Sequence, residues 1–402
     1  MVPDGWEKHP VGKLCRSIVP GRNKPKEFGG AIPWVTTPEI SGRYVPSIKQ
    51  QHYISETAAK ECGAKIIPKG SVIIAAVGEL GLTAIASQNV ILNQQLHAFV
   101  CPDNVDNEYL AYFLSSQKPY MDTVASKTTI PYMNKSNCES IPVLLPKLIE
   151  QRKIAKILGT WDKAIATTEK LIEASNQQKK ALMQQLLTGK KRFAGFEGEW
   201  KTAPLSSVCT RLTEKNKGQS TNVVTISAQH GLIKQEEFFK KSVASATLDN
   251  YFILRKGQFA YNKSYSSGYP MGAIKRLNRY NDAVVTSLYI CFEIIDESKT
   301  SACFMEQYFE SGLLNRGLTK IAAEGGRAHG LLNVKPADFM RLKITIPCYE
   351  EQKKIASILT AADKKTAELQ TKLTHLKQEK KALMQQLLTG KRRVKPDIGE
   401  TV

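Results

Sequence analysis

The chain has 402 residues, enough for two or three domains with cores of their own. An apolar fraction of 42% argues against a disordered chain, and the longest apolar run, Val72–Val77, is far too short to cross a bilayer. The formal charge of +20, from 57 Lys+Arg against 37 Asp+Glu, suits a polyanion, nucleic acid first, with simple surface solubilisation as the alternative.

In chain order, residues 1–146 alternate short strand-like runs with loops. Lys65–Val77 (KIIPKGSVIIAAV) and Val90–Val100 (VILNQQLHAFV) are rich in Ile and Val, so strands are expected there. Glu108–Ser116 reads as a short helix, and prolines 131, 142 and 146 punctuate the approach to a final strand. Glu150 to Thr188 then reads as one long helix, with no proline, one internal glycine at Gly159, and a stop at Gly189. Ile154, Leu158, Trp161, Ile165 and Ile172 recur at spacings of four and three, pass polar Ser175 and Lys179, and resume at Leu182 and Leu186. Such a stripe calls for a partner helix.

A second domain opens near Trp200. Trp, Pro and Cys stand at equal spacing in WEKHPVGKLC (6–15) and WKTAPLSSVC (200–209), and Pro68-Lys69-Gly70 has a counterpart in Arg255-Lys256-Gly257. Glu351 to Thr389 contains neither glycine nor proline and would run roughly 58 Å as a helix. Its seam is Ile355, Leu359, Ala362, Thr366, Leu369, Leu373, Leu376, Lys380, Leu383 and Leu387.

The two long helices are copies. KKALMQQLLTGK occupies Lys179–Lys190 and returns letter for letter at Lys380–Lys391. In the same alignment Glu150, Gln151, Ile154, Ala155, Ile157, Leu158 and Asp162 fall on Glu351, Gln352, Ile355, Ala356, Ile358, Leu359 and Asp363. The chain is two tandem repeats of a variable part followed by a constant helix. The obvious mate for each helix is the other, antiparallel if the variable parts stand at opposite ends.

No catalytic constellation emerges. The glycine that a phosphate-binding loop needs before Gly189 is replaced by Gln184, and Lys190 is followed by Lys191 rather than Ser or Thr. Gly325–Gly330 is too loose for a dinucleotide fingerprint, and no amino-methyltransferase tetrapeptide (N/D-P-P-Y) occurs. Glu351-Gln352-Lys353 matches half a nuclease motif, but acidic residues in a first helical turn are ordinary dipole complements. The six histidines show no ligand spacing, the eight cysteines form no C-x-x-C pair, and the first residues lack a signal-peptide core. Reduced thiols in a cytoplasm are therefore expected.

The residues offer contact chemistry instead. Lys179, Lys180, Lys190, Lys191 and Arg192 recur as Lys380, Lys381, Lys391, Arg392 and Arg393. They suit phosphates, or equally a solvated helix end with cations at its C-terminus. Two polar loops precede the final strand of each variable part, Ser126–Lys135 (SKTTIPYMNK) and Glu324–Asn333 (EGGRAHGLLN). The candidates there are Lys127, Thr128, Thr129, Lys135, Arg327 and His329; Tyr261, Asn262, Lys263 and Ser264, with Arg276, form a third cluster. Arginine suits guanine and asparagine suits adenine, through paired hydrogen bonds to the base edge.

With these features the chain resembles the specificity (S) subunit of type I restriction-modification systems. The resemblance rests on the A-L-M-Q-Q-L-L-T-G-K-[KR]-R helix endings and on the Pro…Glu-Gln-[RK]-Lys-Ile-Ala helix starts. It implies an α/β (α+β) pair of target recognition domains, at 1–146 and 195–347, each followed by a spacer helix, at 147–194 and 348–395, with a tail at 396–402. The helices would pair as an antiparallel coiled coil. It further implies a non-catalytic, DNA-binding subunit reading a bipartite, asymmetric target in double-stranded DNA. Two methyltransferase (M) subunits would methylate adenine with S-adenosylmethionine, and restriction (R) subunits would cleave with ATP and magnesium. None of those cofactors is expected in this chain. A heptad inserted after Thr168 would lengthen the unread gap by about 10.5 Å, or about three base pairs. The alternative is a coiled-coil adaptor that assembles partners without reading sequence.

Overall fold

The structure, a computed structural model, describes residues 2–21, 24–47, 50–239, 247–266, 268–322 and 332–394. The chain forms two compact units, Met1–Glu169 with Thr371–Val402, and Lys170–Gln370. These units cut across the linear segmentation of the sequence. Each long helix, Leu148–Leu186 and Tyr349–Leu387, gives residues to both. Both helices begin and end two residues earlier than the glycine and proline signals suggest.

In unit 1 a five-stranded sheet runs in the order Arg16–Ile18, Leu96–Val100, Val72–Ala75, Thr83–Ala86, Tyr44–Val45. Its central strand is buried on both faces. Val72 and Ile74 face the helix Asn107–Ser116 through Tyr109 and Tyr112, whereas Ile73 and Ala75 join Val35, Val45 and Leu92 on the other side. This is the two-residue alternation of a strand with both sides covered. A second, four-stranded sheet holds His52–Ile54, Ile32–Val35, Val90–Leu92 and Ile66–Ile67 in that order. Glu7–Pro10 pairs antiparallel with Pro142–Leu145, so the start of the domain meets the strand that leads into the long helix.

Unit 2 repeats the plan. Cys209–Leu212, Ile290–Ile294, Phe259–Asn262 and Ala273–Arg276 form a four-stranded sheet, and Lys201–Pro204 pairs with Lys343–Ile346. Phe259 and Tyr261 face the helix Ala302–Glu310, and Ala260 faces the opposite core. The repeated Lys-Gly dipeptides make the same turn. Gly70 and Gly257 sit at φ +85° and +95°, a region that favours glycine. Their carbonyls accept hydrogen bonds from Asn107 Nδ2 (2.9 Å) and Arg276 Nε (3.2 Å).

His97 explains one of the unspaced histidines. It is buried in the central sheet, 2.7 Å from Ser17 Oγ, and burial pulls its imidazole from 6.5 down to about 4. The folded state therefore keeps it neutral where the unfolded chain takes up a proton. Unit 1 should hold its full stability from this group above pH 6.5 and lose it as pH falls towards 4. Urea titrations across that range should show a shallower decline for His97→Gln than for the unsubstituted chain.

Candidate nucleic-acid interface

The polar loops of unit 1 converge on one end of the central strand. Ala76, just past that strand, donates its N–H to Gln95 O (2.8 Å) and accepts from Met133 N (2.8 Å). Gly78 N reaches Pro131 O at 2.9 Å, so residues 76–82, the turn 93–95 and the loop 126–133 form one rim. Lys127, Thr128 and Thr129 lie exposed on it, as do Ile130 and Tyr132, with 60% and 50% of their surface open. Two hydroxyls are used internally: Thr128 Oγ1 donates to Ile130 O, and Ser126 Oγ accepts from Tyr132 N. Lys135 stands at the start of the helix Lys135–Glu139, exposed, 3.6 Å from Glu139.

Unit 2 brings its candidates to the same kind of place. Lys263 follows the central strand, and its carbonyl accepts from Leu332 N (2.9 Å), as Ala76 accepts from Met133. Asn262, Lys263 and Ser264 are half-buried there, Asn262 Oδ1 accepting from Ser264 N (3.0 Å), beside Tyr265, which is 63% exposed. Burial lowers the Lys263 ammonium below the usual lysine range. Arg327 and His329 lie outside the described residues.

Two of the candidates are corrected. Tyr261 is fully buried, its ring stacked on Phe339 at 4.9 Å and its hydroxyl donating to Met271 O (2.7 Å). It points inward by the strand's alternation and so cannot meet a base. Arg276 is mostly covered and holds Gly257 O through Nε, with Glu306 at 3.8 Å and Cys303 Sγ at 3.6 Å. Its Nε and Nη1 are engaged within the domain, which leaves it fewer donors for the paired contact to guanine. The turn Asn93–Gln95, by contrast, lies on the rim although only its flanking strands stood out in the sequence; the signal was three carboxamides in a row between two apolar runs.

The constant helices carry a second constellation, and it accounts for the repeated residues. In unit 1 Glu150 accepts two bonds from Arg393 (2.8 and 2.9 Å), Asp162 pairs with Lys380 (2.5 Å), and Glu169 with Lys377 (2.8 Å). The partner number falls as the first rises, so the helices run antiparallel. Unit 2 gives the same order: Glu351 with Arg192 (2.7 and 3.0 Å), Asp363 with Lys179 (2.6 Å), and Thr366 with Ser175 (2.8 Å). Lys179, Arg192, Lys380 and Arg393 are therefore committed to helix pairing rather than to phosphates. Ile154, Leu158, Leu186, Ile355, Leu359 and Leu387 are buried; Trp161, Ile165, Ile172, Leu182, Leu369, Leu373, Leu376 and Leu383 are half-buried.

Each domain is also tied to its helix by a buried glutamine. Gln151 accepts from Asp106 N (2.8 Å) and donates to Pro146 O (2.8 Å) and Asn104 O (3.1 Å). Gln352 accepts from Ser301 N (2.9 Å) and donates to Pro347 O (2.9 Å) and Lys299 O (3.4 Å). Asp106 and Ser301 are the N-caps of the helices that pack on the two central strands. The variable domain is thus registered to the constant helix at one equivalent point in each unit.

Comparison with known proteins follows this duplicated geometry. The type I restriction modification DNA specificity domain matches residues 3–176 and again 197–378. The MjaVIII specificity subunit of a type I restriction enzyme from Methanocaldococcus jannaschii is 24% identical, over 98% of this chain and 94% of that one. The MjaIX specificity subunit of the same organism is 27% identical, over 42% of this chain and 40% of that protein. Among solved structures, the S subunit of a type I restriction-modification system from M. genitalium aligns with TM-score 0.57 and 14% identity, covering 96% of each chain. A chain from a type I R-M system structure aligns with TM-score 0.57 and 18% identity, covering 98% of this chain and all of that one.

Proposed function

The chain belongs to the type I restriction modification DNA specificity family and is a DNA-specificity subunit, and from that premise we propose that each unit reads one half of a split, asymmetric target. The observation that carries the proposal is the doubled domain match, set beside two loop rims of different composition. Unit 1 offers Lys127, Thr129 and the carboxamides of 93–95; unit 2 offers Asn262, Lys263 and Ser264. Two different sets of donors and acceptors call for two different half-sites.

In this reading the chain is itself non-catalytic. Two methyltransferase subunits bind S-adenosylmethionine and methylate adenine, and restriction subunits with ATP and magnesium join the complex in the cytoplasm. Assembly with other subunits and DNA follows the family; the numbers of each are part of the proposal. Exposed lysines flanking the rims, such as Lys24 and Lys127, supply phosphate contacts that hold the duplex while the loops read it.

Fluorescence anisotropy of the assembled complex on a mixed-sequence duplex tests the DNA-binding half of this reading. Binding should weaken steeply with salt, with a log–log slope of about −0.9 for each phosphate neutralised. A coiled-coil adaptor with no DNA-reading role would leave the complex binding no tighter, and with no steeper salt slope, than the methyltransferase subunits alone.

A further inference from the structure

We infer that the turn Asn93–Gln95 is the principal base-reading element of unit 1 and that the Gln94 carboxamide recognises an adenine in its half-site. The inference rests on the DNA-reading function proposed above and names the residue that carries it. The turn connects Val90–Leu92 with Leu96–Val100 and sits on the rim where Gln95 O meets Ala76 N.

Its backbone and two of its three side chains are fixed. Asn93 N donates to Val35 O (2.9 Å), which anchors the turn to the neighbouring strand. Gln95 N donates to Asn93 Oδ1 (3.2 Å), and Gln95 Oε1 accepts from Asn93 Nδ2 (3.2 Å) and Thr37 Oγ1 (3.3 Å). Between these two braced amides stands Gln94, exposed, with no side-chain partner among the described residues. The braced backbone holds the Gln94 Cα in place beforehand, so that binding has only the Gln94 side-chain rotamers left to order.

The chemistry selects the ligand. A carboxamide presents one acceptor and one donor side by side, the complement of adenine N6–H and N7 in the major groove. Being uncharged, it adds nothing to counterion release and acts on sequence preference alone. The adjoining cleft, of about 310 Å³, is bounded by Gly21, Lys24, Trp34 and Thr36, which puts one cation beside the turn for the flanking phosphate. On the same rim, the loop 126–132 spends the Ser126 and Thr128 hydroxyls internally, leaving fewer groups free to read a base. The corresponding turn of unit 2, Thr286-Ser287-Leu288, carries no carboxamide, so the effect belongs to one half-site only.

The test is adenine-methylation mapping in a host that expresses the partner methyltransferase with either the unsubstituted chain, Gln94→Ala or Gln94→Glu. For Gln94→Ala one A·T position in one half of the motif should become degenerate, its discrimination falling about 10- to 100-fold, with the other half unchanged. Gln94→Glu, which can accept but not donate, should move that position towards cytosine. If Gln94→Ala abolishes methylation in the host, the assembled complex is titrated with the four single-base versions of that position, and the same relaxation is required. Retention of every base preference by both variants overturns the inference while leaving the function intact. No motif with the unsubstituted chain would instead count against the DNA-reading function itself.

Discussion

Tyr261→Ala should destabilise unit 2 by about 3–5 kcal/mol, the cost of deleting a large buried ring and leaving a cavity. Tyr261 is fully buried between the central strand and Phe339, and its hydroxyl satisfies Met271 O, which the alanine variant would leave without that donor. Tyr261→Phe separates the two parts: it keeps the stacking and forfeits only the hydrogen bond, roughly 1 kcal/mol. The next residue along the strand behaves differently. Asn262→Ala, on the half-buried side, should change stability little and DNA preference instead. Guanidinium unfolding of the three variants reads this directly. A Tyr261→Ala chain as stable as its parent would return that side chain to the list of DNA contacts.

Gln352→Ala should cost about 2–4 kcal/mol, since it strands a buried carbonyl, worth about 1–3 kcal/mol when unpaired, and a half-buried N–H, worth about 1 kcal/mol. The groups are Ser301 N and Pro347 O, both held at 2.9 Å by a side chain that is 1% exposed. Gln151→Ala should do the same in unit 1, where Asp106 N and Pro146 O are held at 2.8 Å. Because each glutamine fixes the N-cap of the helix beneath the reading sheet, loss of either should also lower the yield of methylated target. A shift of the unfolding midpoint within error of zero would contradict this role.

These two positions show what the sequence disclosed. Gln151 and Gln352 belong to the duplicated set, as do Asp162 and Asp363, and a residue retained in both copies beside divergent domains had to serve a contact common to both. The helix pairing was legible because two matching stripes call for each other, and its antiparallel sense followed from placing the variable parts at opposite ends. The domain interiors were legible as strands, because runs such as VIIA need burial on two faces. What could not be read was the side of the strand each polar residue faces. Tyr261 and Asn262 are neighbours in sequence, yet alternation sends one inward and the other towards the rim. Nor could local spacing show that Arg276 has Gly257 O and Glu306 close by. Residue type proposes a contact; the sheet's register decides whether it is available.

The most direct measurement is a genome-wide adenine-methylation map of a host carrying this chain with its methyltransferase, against a host lacking the chain. The account predicts one new motif, split by unread positions, with two unlike halves and methylation on both strands. A well-formed complex that yields no new motif, or a motif in which the two halves are the same sequence, would contradict it.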